Sequence, residues 1–262
     1  MLVDVHAHLD HELYRDDLND VLAHAQQAGV VAIITNGVNP TSNNNVLALA
    51  KKHPLIKASF GLYPTDLLGI PDESGMPRYT QPIDLDHEFA FFTKHKNEFI
   101  SIGEVGIDYK WDKDHHDLQK QHFQRIIEFA QKVKKPLIVH SRNAEQDVLD
   151  ILDSSTTKKV VLHCFMGNRK LIKRAADNKY TFSVPALIAR LQHFRMLAEE
   201  VNINQLLTET DCPWLPPTPH QRNEPAFVLE SAKNISEVKK LDHEEVKKNI
   251  FMNYQRMFLQ HE

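Results

Sequence analysis

Cysteine is scarce in this chain, which has two among its 262 residues, Cys164 and Cys212. Two cysteines give no disulfide framework, so we expect a reducing compartment, and the predicted location is cytoplasmic. Each cysteine neighbours a candidate ligand and is predicted to be a small core residue. Long hydrophobic runs are also lacking, so we expect no membrane span and no signal peptide.

The chain also lacks an excess of positive charge. It has 31 Lys and Arg residues against 35 Asp and Glu residues, a net charge of −4. Proteins that bind nucleic acid mainly by neutralising phosphates are basic, so this mode of binding is excluded. Any phosphate recognition must be local, through metal ions or a few arginines. We expect one domain, residues 1–262, with no obligate protein partner.

Short β-branched runs alternate with longer amphipathic stretches along the whole chain. Eight strands with helical patterns between them predict a (β/α)₈ TIM barrel, an α/β fold with its active site at the C-terminal face of the strands. The predicted strands are Leu2–His6, Val30–Thr35, Ile56–Gly61, Ile100–Glu104, Leu137–His140, Val160–His163, Thr181–Val184 and Leu206–Glu209.

Helix signals lie between these strands. The first helix is predicted from near Arg15 to just before Gly29, and Pro40 opens the second. Asp114 or a neighbour is predicted to cap a long helix with an apolar stripe at Leu118, Phe123, Ile126, Ile127 and Ala130. Two Pro-rich polar segments interrupt the alternation and are predicted to shape a substrate rim, namely Leu67–Asp86 and Trp214–Pro225.

The first predicted strand ends in His6-Ala7-His8. Side chains two apart on a strand point to the same side, so both imidazoles can reach one metal ion. Four further candidate ligands follow, each after a short apolar run: Glu104, His140, His163 and Asp211. Strand ends converge on one mouth in a closed barrel, and a buried unpaired carboxylate is costly, so a cation is the natural partner.

Six ligands exceed the number that one tetrahedral ion needs, so we expect two divalent ions, such as zinc, magnesium or manganese. In the predicted division, His6, His8 and Asp211 hold one ion, His140 and His163 hold the other, and Glu104 bridges them. Glu104 and Asp211 are also the predicted catalytic residues. Asp211 is expected to accept the proton of an attacking water.

Four blocks resemble a known family: Gly103-Glu-Val-Gly-Ile-Asp-Tyr109, Val139-His-Ser-Arg142, Leu162-His-Cys-Phe-Met-Gly167 and Glu209-Thr-Asp-Cys-Pro213. In this order they are similar to the blocks of the TatD-type metal-dependent deoxyribonucleases. The resemblance implies a TIM barrel with a divalent-metal site that hydrolyses phosphodiesters in DNA. It supports the same six ligands. The acidic net charge favours DNA ends or single strands as the nucleic acid substrate.

One position departs from the family pattern, because Tyr63 stands where the family has a histidine in the substrate pocket. A tyrosine keeps a hydrogen-bond donor but loses a group that is cationic near neutral pH. Other predicted substrate contacts are Arg142, as a phosphate clamp, and Tyr109, as a stacking ring. Arg222 either reaches the same substrate or pairs with Glu224.

Two alternatives stay open on the sequence alone. The same metal pair can attack a carbonyl carbon, so the substrate class extends to an ester, a lactone, an amide or the ester bond of a charged tRNA. A metal-binding scaffold without catalysis is the third possibility. Glu209 lies two residues before Asp211 on the same side of the strand but deeper in the barrel, and Asp4 has the same relation to His6, so both are predicted to support the metal ligands without binding the metal.

Overall fold

The computed structural model describes residues 1–70 and 79–260, and within them all eight predicted strands lie in one sheet. The strands are β1 (Leu2–Ala7), β2 (Val30–Asn36), β3 (Ile56–Phe60), β4 (Ser101–Asp108), β5 (Leu137–Arg142), β6 (Val160–Leu162), β7 (Thr181–Pro185) and β8 (Leu206–Glu209). Neighbouring strands are parallel and follow chain order. A parallel bridge between Ala7 and Cys212 joins the first strand to the segment after the last. The predicted TIM barrel is confirmed.

Helices follow the strands and cover the outside of the sheet. They are α1 (Leu18–Gln27), α2 (Pro40–Lys52), α3 (Pro64–Leu68), α4 (Leu85–Lys94), α5 (His116–Val133), α6 (Glu145–Ser154), α7 (Arg169–Asp177), α8 (Gln192–Glu200), α9 (Val228–Lys239) and α10 (His243–Tyr254). No helix among the described residues is long and apolar enough to cross a membrane. Part of the predicted rim segment Leu67–Asp86, residues 71–78, lies outside the described residues.

Barrel strands are buried on both faces, which explains why β1 and β4 have no exposed residue. Polar side chains on these strands therefore need partners inside the protein. Both cysteines are free and buried, as predicted for small core residues.

Two predicted strand ends are wrong. β4 continues past Glu104 to Asp108 and β5 continues past His140 to Arg142, so both candidate ligands lie within their strands. Gly106 makes this possible, because an added Cβ there would lie 2.0 Å from the carbonyl oxygen of His140. The missing side chain lets the two strands stay paired beyond the charged residue at which the sequence predicts an end.

The helix signals were largely correct, with two shifts. α1 begins at Leu18 rather than near Arg15, because a 3₁₀ turn, Glu12–Tyr14, occupies the preceding residues. α5 begins at His116, and His115 at its N-cap position makes no capping bond with its side chain. Leu118 of the predicted apolar stripe is 41% exposed, because the neighbouring Gln119 faces the barrel at this turn and forms hydrogen bonds with the backbone of Asp108.

Candidate metal centre

All six predicted ligands lie at the C-terminal mouth of the barrel. Their side chains are buried, and the most accessible of them, Asp211, is 14% exposed. They come from five strands or the residues directly after them: His6 in β1, His8 after β1, Glu104 in β4, His140 in β5, His163 after β6 and Asp211 after β8. The structure therefore brings together every candidate that the sequence singles out.

Four ligand atoms form a first cluster. His6 Nε2 and His8 Nε2 lie 3.1 Å apart. The same two nitrogens lie 3.5 and 3.4 Å from Glu104 Oε2. They lie 3.6 and 3.5 Å from Asp211 Oδ1. Each of these two carboxylate oxygens therefore lies within 3.6 Å of both imidazole nitrogens.

The dimensions of this first cluster fit a metal ion. Nε2 of His6, Nε2 of His8 and Oδ1 of Asp211 are 3.1–3.6 Å apart, so all three can lie about 2.1 Å from one ion, the distance at which zinc binds imidazole nitrogen and carboxylate oxygen. A donor set of nitrogen and oxygen also suits manganese or iron. The spacing of these three donors therefore fits one divalent cation.

A second cluster lies on the other side of Glu104. Glu104 Oε1 is 2.8 Å from His140 Nδ1 and 3.7 Å from His163 Nε2. One ligand atom from each of these residues lies within 4.8 Å of the others. Since Oε2 of the same carboxylate faces the first cluster, the two oxygens of Glu104 face different groups of candidate ligands. The second cluster could also hold a metal ion, with three protein ligands.

The backbone after β8 turns Asp211 towards the first cluster. Asp211 has a φ of 56°, the left-handed region that aspartate tolerates better than most residues. Its amide donates a hydrogen bond of 2.8 Å to the carbonyl oxygen of His6. The ligand is therefore fixed to the strand that carries the two histidines.

Two carboxylates orient the histidines of the second cluster. Glu209 Oε2 lies 2.7 Å from His163 Nδ1, and Asp108 Oδ2 lies 3.0 Å from His140 Nε2. Such contacts fix the ring and the tautomer of a metal-binding histidine. The sequence predicts a supporting role for Glu209 but does not name His163 as its partner, and it assigns no role to Asp108. Strand alternation could have found it, because Glu104 and Asp108 are four residues apart on β4 and point to the same side.

Asp4 contacts the backbone of His6 rather than its ring. Its carboxylate accepts hydrogen bonds from the amides of His6 and Thr210, at 3.2 and 3.0 Å, and from the Thr210 hydroxyl at 2.5 Å. Burial raises the pKa of Asp4 well above its usual range. Asp4 therefore joins β1 to the chain after β8 through backbone contacts.

The mouth of the barrel requires positive charge. Burial alone would raise the pKa of Glu104, but hydrogen bonds from His140 and His6 hold it well below its usual range. Burial alone would also raise the pKa of Asp211, but the charge of His163 and the hydrogen bond from His8 outweigh burial and hold this pKa below its usual value. For His140, burial lowers the pKa, but hydrogen bonds to Asp108 and Glu104 raise it to about 9. Protons on the imidazoles or bound cations supply this charge.

Two of the predicted substrate residues lie beside the ligands. The Tyr63 hydroxyl donates a hydrogen bond of 2.7 Å to Asp108 Oδ2 and lies 3.2 Å from His140 Nε2. Arg142 is half-buried at the end of β5, where the charges of Asp211 and Asp108 act on it. Within residues 1–70 and 79–260, no side chain accepts a hydrogen bond from its guanidinium group.

The other two predicted substrate residues pack elsewhere. The Tyr109 hydroxyl donates to Asp147 at 2.7 Å and its ring stacks on His116, with centroids 3.6 Å apart. Arg222 pairs with Asp17 at 2.5 Å and lies over the Tyr14 ring. The expected pairing of Arg222 with Glu224 is wrong, since Glu224 lies 3.3 Å from His24 instead. For both residues the contact with substrate stays a prediction.

Sequence reasoning missed one aromatic side chain at the mouth. Trp214 packs edge-on against His8 and His11, with ring centroids 5.4 and 5.3 Å away. It belongs to the segment Trp214–Pro225, which was predicted to shape the rim. Its position three residues after Asp211 was the available signal.

Comparisons with known proteins agree with the geometry. The family model described as TatD related DNase matches residues 3–259. An uncharacterized metal-dependent hydrolase of Bacillus subtilis, YabD, is 30% identical over 264 aligned residues, covering 98% of this chain and 99% of the relative. The human deoxyribonuclease TATDN3 is 30% identical over 262 aligned residues, which cover 98% of this chain and 94% of the relative.

A solved structure supports the fold. YjjV, a TatD homologue from Escherichia coli, superimposes with a TM-score of 0.87 at 23% identity, covering 99% of this chain and 98% of that one. The family model extends over all eight strands, and relatives at 30% identity match nearly end to end. The chain therefore belongs to the TatD related DNase family of metal-dependent hydrolases.

Proposed function

We propose that this protein hydrolyses phosphodiester bonds in DNA with two divalent cations bound at the mouth of the barrel. The observation that carries the proposal is the Glu104 carboxylate, whose two oxygens face separate clusters of ligands. The name of the human relative and the description of the family support DNA as the substrate.

The bound cations would lower the pKa of a water molecule and stabilise charge on the phosphate oxygens. The chain's own residues then supply orientation and proton transfer. Asp211 Oδ1 faces His6 and His8, so Oδ2 is the atom that accepts a proton from the attacking water. Asp108 and Glu209 hold the rings of His140 and His163 in place.

The proposed substrate is a single strand or a strand end. His6, His8 and Glu104 are 0–3% exposed, so the scissile phosphate must enter the mouth rather than lie across it. A net charge of −4 provides no general attraction for an intact duplex.

Chelation is expected to abolish hydrolysis of end-labelled oligonucleotides. The enzyme is assayed on single-stranded and double-stranded DNA with and without EDTA, and zinc, manganese, magnesium and other cations are then added back one at a time. Recovery with a divalent cation and a preference for single strands or ends would support the proposal. Full activity in excess EDTA would contradict it, and so would turnover confined to esters, lactones, amides or charged tRNA in a parallel panel.

Arg142 is expected to hold a non-bridging phosphate oxygen, because its half-buried guanidinium has no acceptor among the described side chains. Replacing Arg142 by alanine is expected to lower kcat/KM for oligonucleotides about 10–100-fold, the value of one charge-assisted hydrogen bond. Arg142→Lys should recover part of this loss. Arg174→Ala, which removes a surface pair with Asp150 and Asp153, is the control. Equal activity of Arg142→Ala and this control would reject the role.

A further inference from the structure

A cavity lies at the opposite end of the barrel from the metal centre. It has a volume of about 700 Å³, within the range of pockets that hold compact small molecules. Three residues that line it, Ile100, Pro136 and Lys159, directly precede β4, β5 and β6. The cavity therefore opens on the N-terminal face of the strands, and none of the six candidate metal ligands lines it.

All charged residues that line this cavity are lysines. Among the described residues that line it there is no aspartate or glutamate, although the whole chain has a net charge of −4. A neighbouring cavity shares Met257 and Lys159 with it but is also lined by Asp177 and Glu200. The lining without acidic residues is therefore a property of the cavity at the N-terminal face, not of its neighbour. The five lysines of the cavity at the N-terminal face are Lys96, Lys134, Lys135, Lys158 and Lys159.

The lysines fall into two groups. Lys135 and Lys159 are half-buried, and their ammonium groups donate to the carbonyl oxygens of Phe99 and Gln260 at 2.7 and 2.5 Å. The other three, Lys96, Lys134 and Lys158, are exposed and form no ion pair within the described part of the chain. Five ammonium-bearing side chains around one cavity, with no acidic residue among the described lining, favour a ligand with several negative charges.

The rest of the lining is apolar with a few hydrogen-bonding groups. Met257 and Phe258 are 9% and 4% exposed, and Ile100 and Val133 complete an apolar wall. An amide and two hydroxyls lie beside it, from Gln131, Thr156 and Thr157. Such a wall suits a planar ring with polar edges. A fatty acid would leave most of the charge unbalanced, and a bare phosphate would leave the wall without a partner.

We infer that this cavity binds a nucleoside diphosphate or triphosphate, with its phosphates on the lysines and its base against the apolar wall. The site is separate from the metal centre and does not depend on the reaction that takes place there.

The experiment measures binding of the non-hydrolysable triphosphate AMP-PNP to the metal-loaded enzyme by calorimetry. Charge reversal at the two exposed rim lysines, Lys96→Glu with Lys158→Glu, is expected to weaken binding about tenfold or more, because each reversal replaces attraction by repulsion. Lys179→Glu, in the neighbouring cavity, is the matched control and should bind normally. Asp211→Asn should also bind normally, since its change is at the metal centre.

The outcomes separate the alternatives. One molecule of AMP-PNP per chain, weakened by the rim variant and by rising salt, supports the site. Binding that is lost in Asp211→Asn but kept in the rim variant assigns the ligand to the metal centre and overturns the inference. Equal binding of inorganic triphosphate, or binding of anionic phospholipid vesicles alone, also overturns it. Unaltered thermal unfolding of the rim variant and of Lys96→Ala with Lys158→Ala shows that the fold is retained.

Discussion

Replacing Glu104 by glutamine is expected to remove both bound cations and to lower hydrolysis about a thousandfold or more, since several kcal/mol of transition-state stabilisation depend on the ions. Glu104 is the residue whose oxygens face both clusters, at 3.5 Å from His6 Nε2 and 2.8 Å from His140 Nδ1.

The physical reason is charge. A glutamine keeps the size and one oxygen of the side chain but loses the negative charge that a divalent cation needs. The remaining ligands of the second cluster, His140 and His163, are both neutral donors when they bind metal. Without the carboxylate, that cluster has no anionic ligand, and the first cluster keeps only Asp211.

Metal content is measured by mass spectrometry after dialysis, and activity is measured on a labelled single strand. Glu88→Gln is a matched control, because Glu88 is also 3% exposed but pairs with His87 on α4, away from the mouth. Two ions per chain and normal turnover in Glu104→Gln would show that the carboxylate does not bridge. Glu209→Gln should give an intermediate loss of about 10–100-fold, as expected for a residue that orients a ligand.

The fold was predictable from the sequence because barrel strands are buried on both faces. Their apolar runs are therefore nearly continuous, and each of the eight predicted runs corresponds to an observed strand. The same burial makes a charged residue within such a run conspicuous. Glu104 and the four histidines stood out because each ends or follows such a run, and in the structure a ring nitrogen of each histidine lies within 3.7 Å of an oxygen of Glu104.

The contacts around the ligands were less predictable because they depend on the pairing of strands. Arginine binds phosphates and tyrosine stacks on bases, and the sequence positions of Arg222 and Tyr109 suggest that both lie near the mouth. Their side chains contact Asp17 and Asp147, which lie 205 and 38 residues away in the chain. A single sequence contains no signal for such pairs.

The ends of β4 and β5 were also mispredicted, because side-chain polarity does not determine where backbone pairing between strands stops. β4 and β5 stay paired from Gly106↔His140 to Asp108↔Arg142, beyond the ends that the sequence suggested. This extension places Asp108 behind His140. The same error in the strand end therefore hid one of the two carboxylates that orient the histidines.

Replacing Asp211 by asparagine is expected to lower kcat about 10²–10⁴-fold, the range that a general base contributes. The asparagine keeps an oxygen at the position of Oδ1, which faces His6 and His8 at 3.6 and 3.5 Å. It cannot accept a proton from water at neutral pH. KM for the oligonucleotide should change little, because Arg142 and the cations provide the contacts to the phosphate.

Loss of a ligand and loss of a base are separated by the metal concentration. Asp211→Asn is assayed over a range of the activating cation until the rate no longer rises, so that both sites are filled. A defect that persists at saturation assigns proton transfer to Asp211, whereas full recovery would mean that the residue only binds metal. Asp153→Asn is the control, since that carboxylate pairs with Arg174 on the outer surface of the barrel.

From the position of Asp211 we expect the loss of kcat in Asp211→Asn to persist at saturating metal concentration. The left-handed backbone conformation of this residue and the hydrogen bond from its amide to His6 position Asp211 beside the first cluster. An aspartate that served only to complete a coordination sphere would not need to be the most exposed of the six ligands, at 14%. That exposure gives Oδ2 access to the water that enters with the substrate.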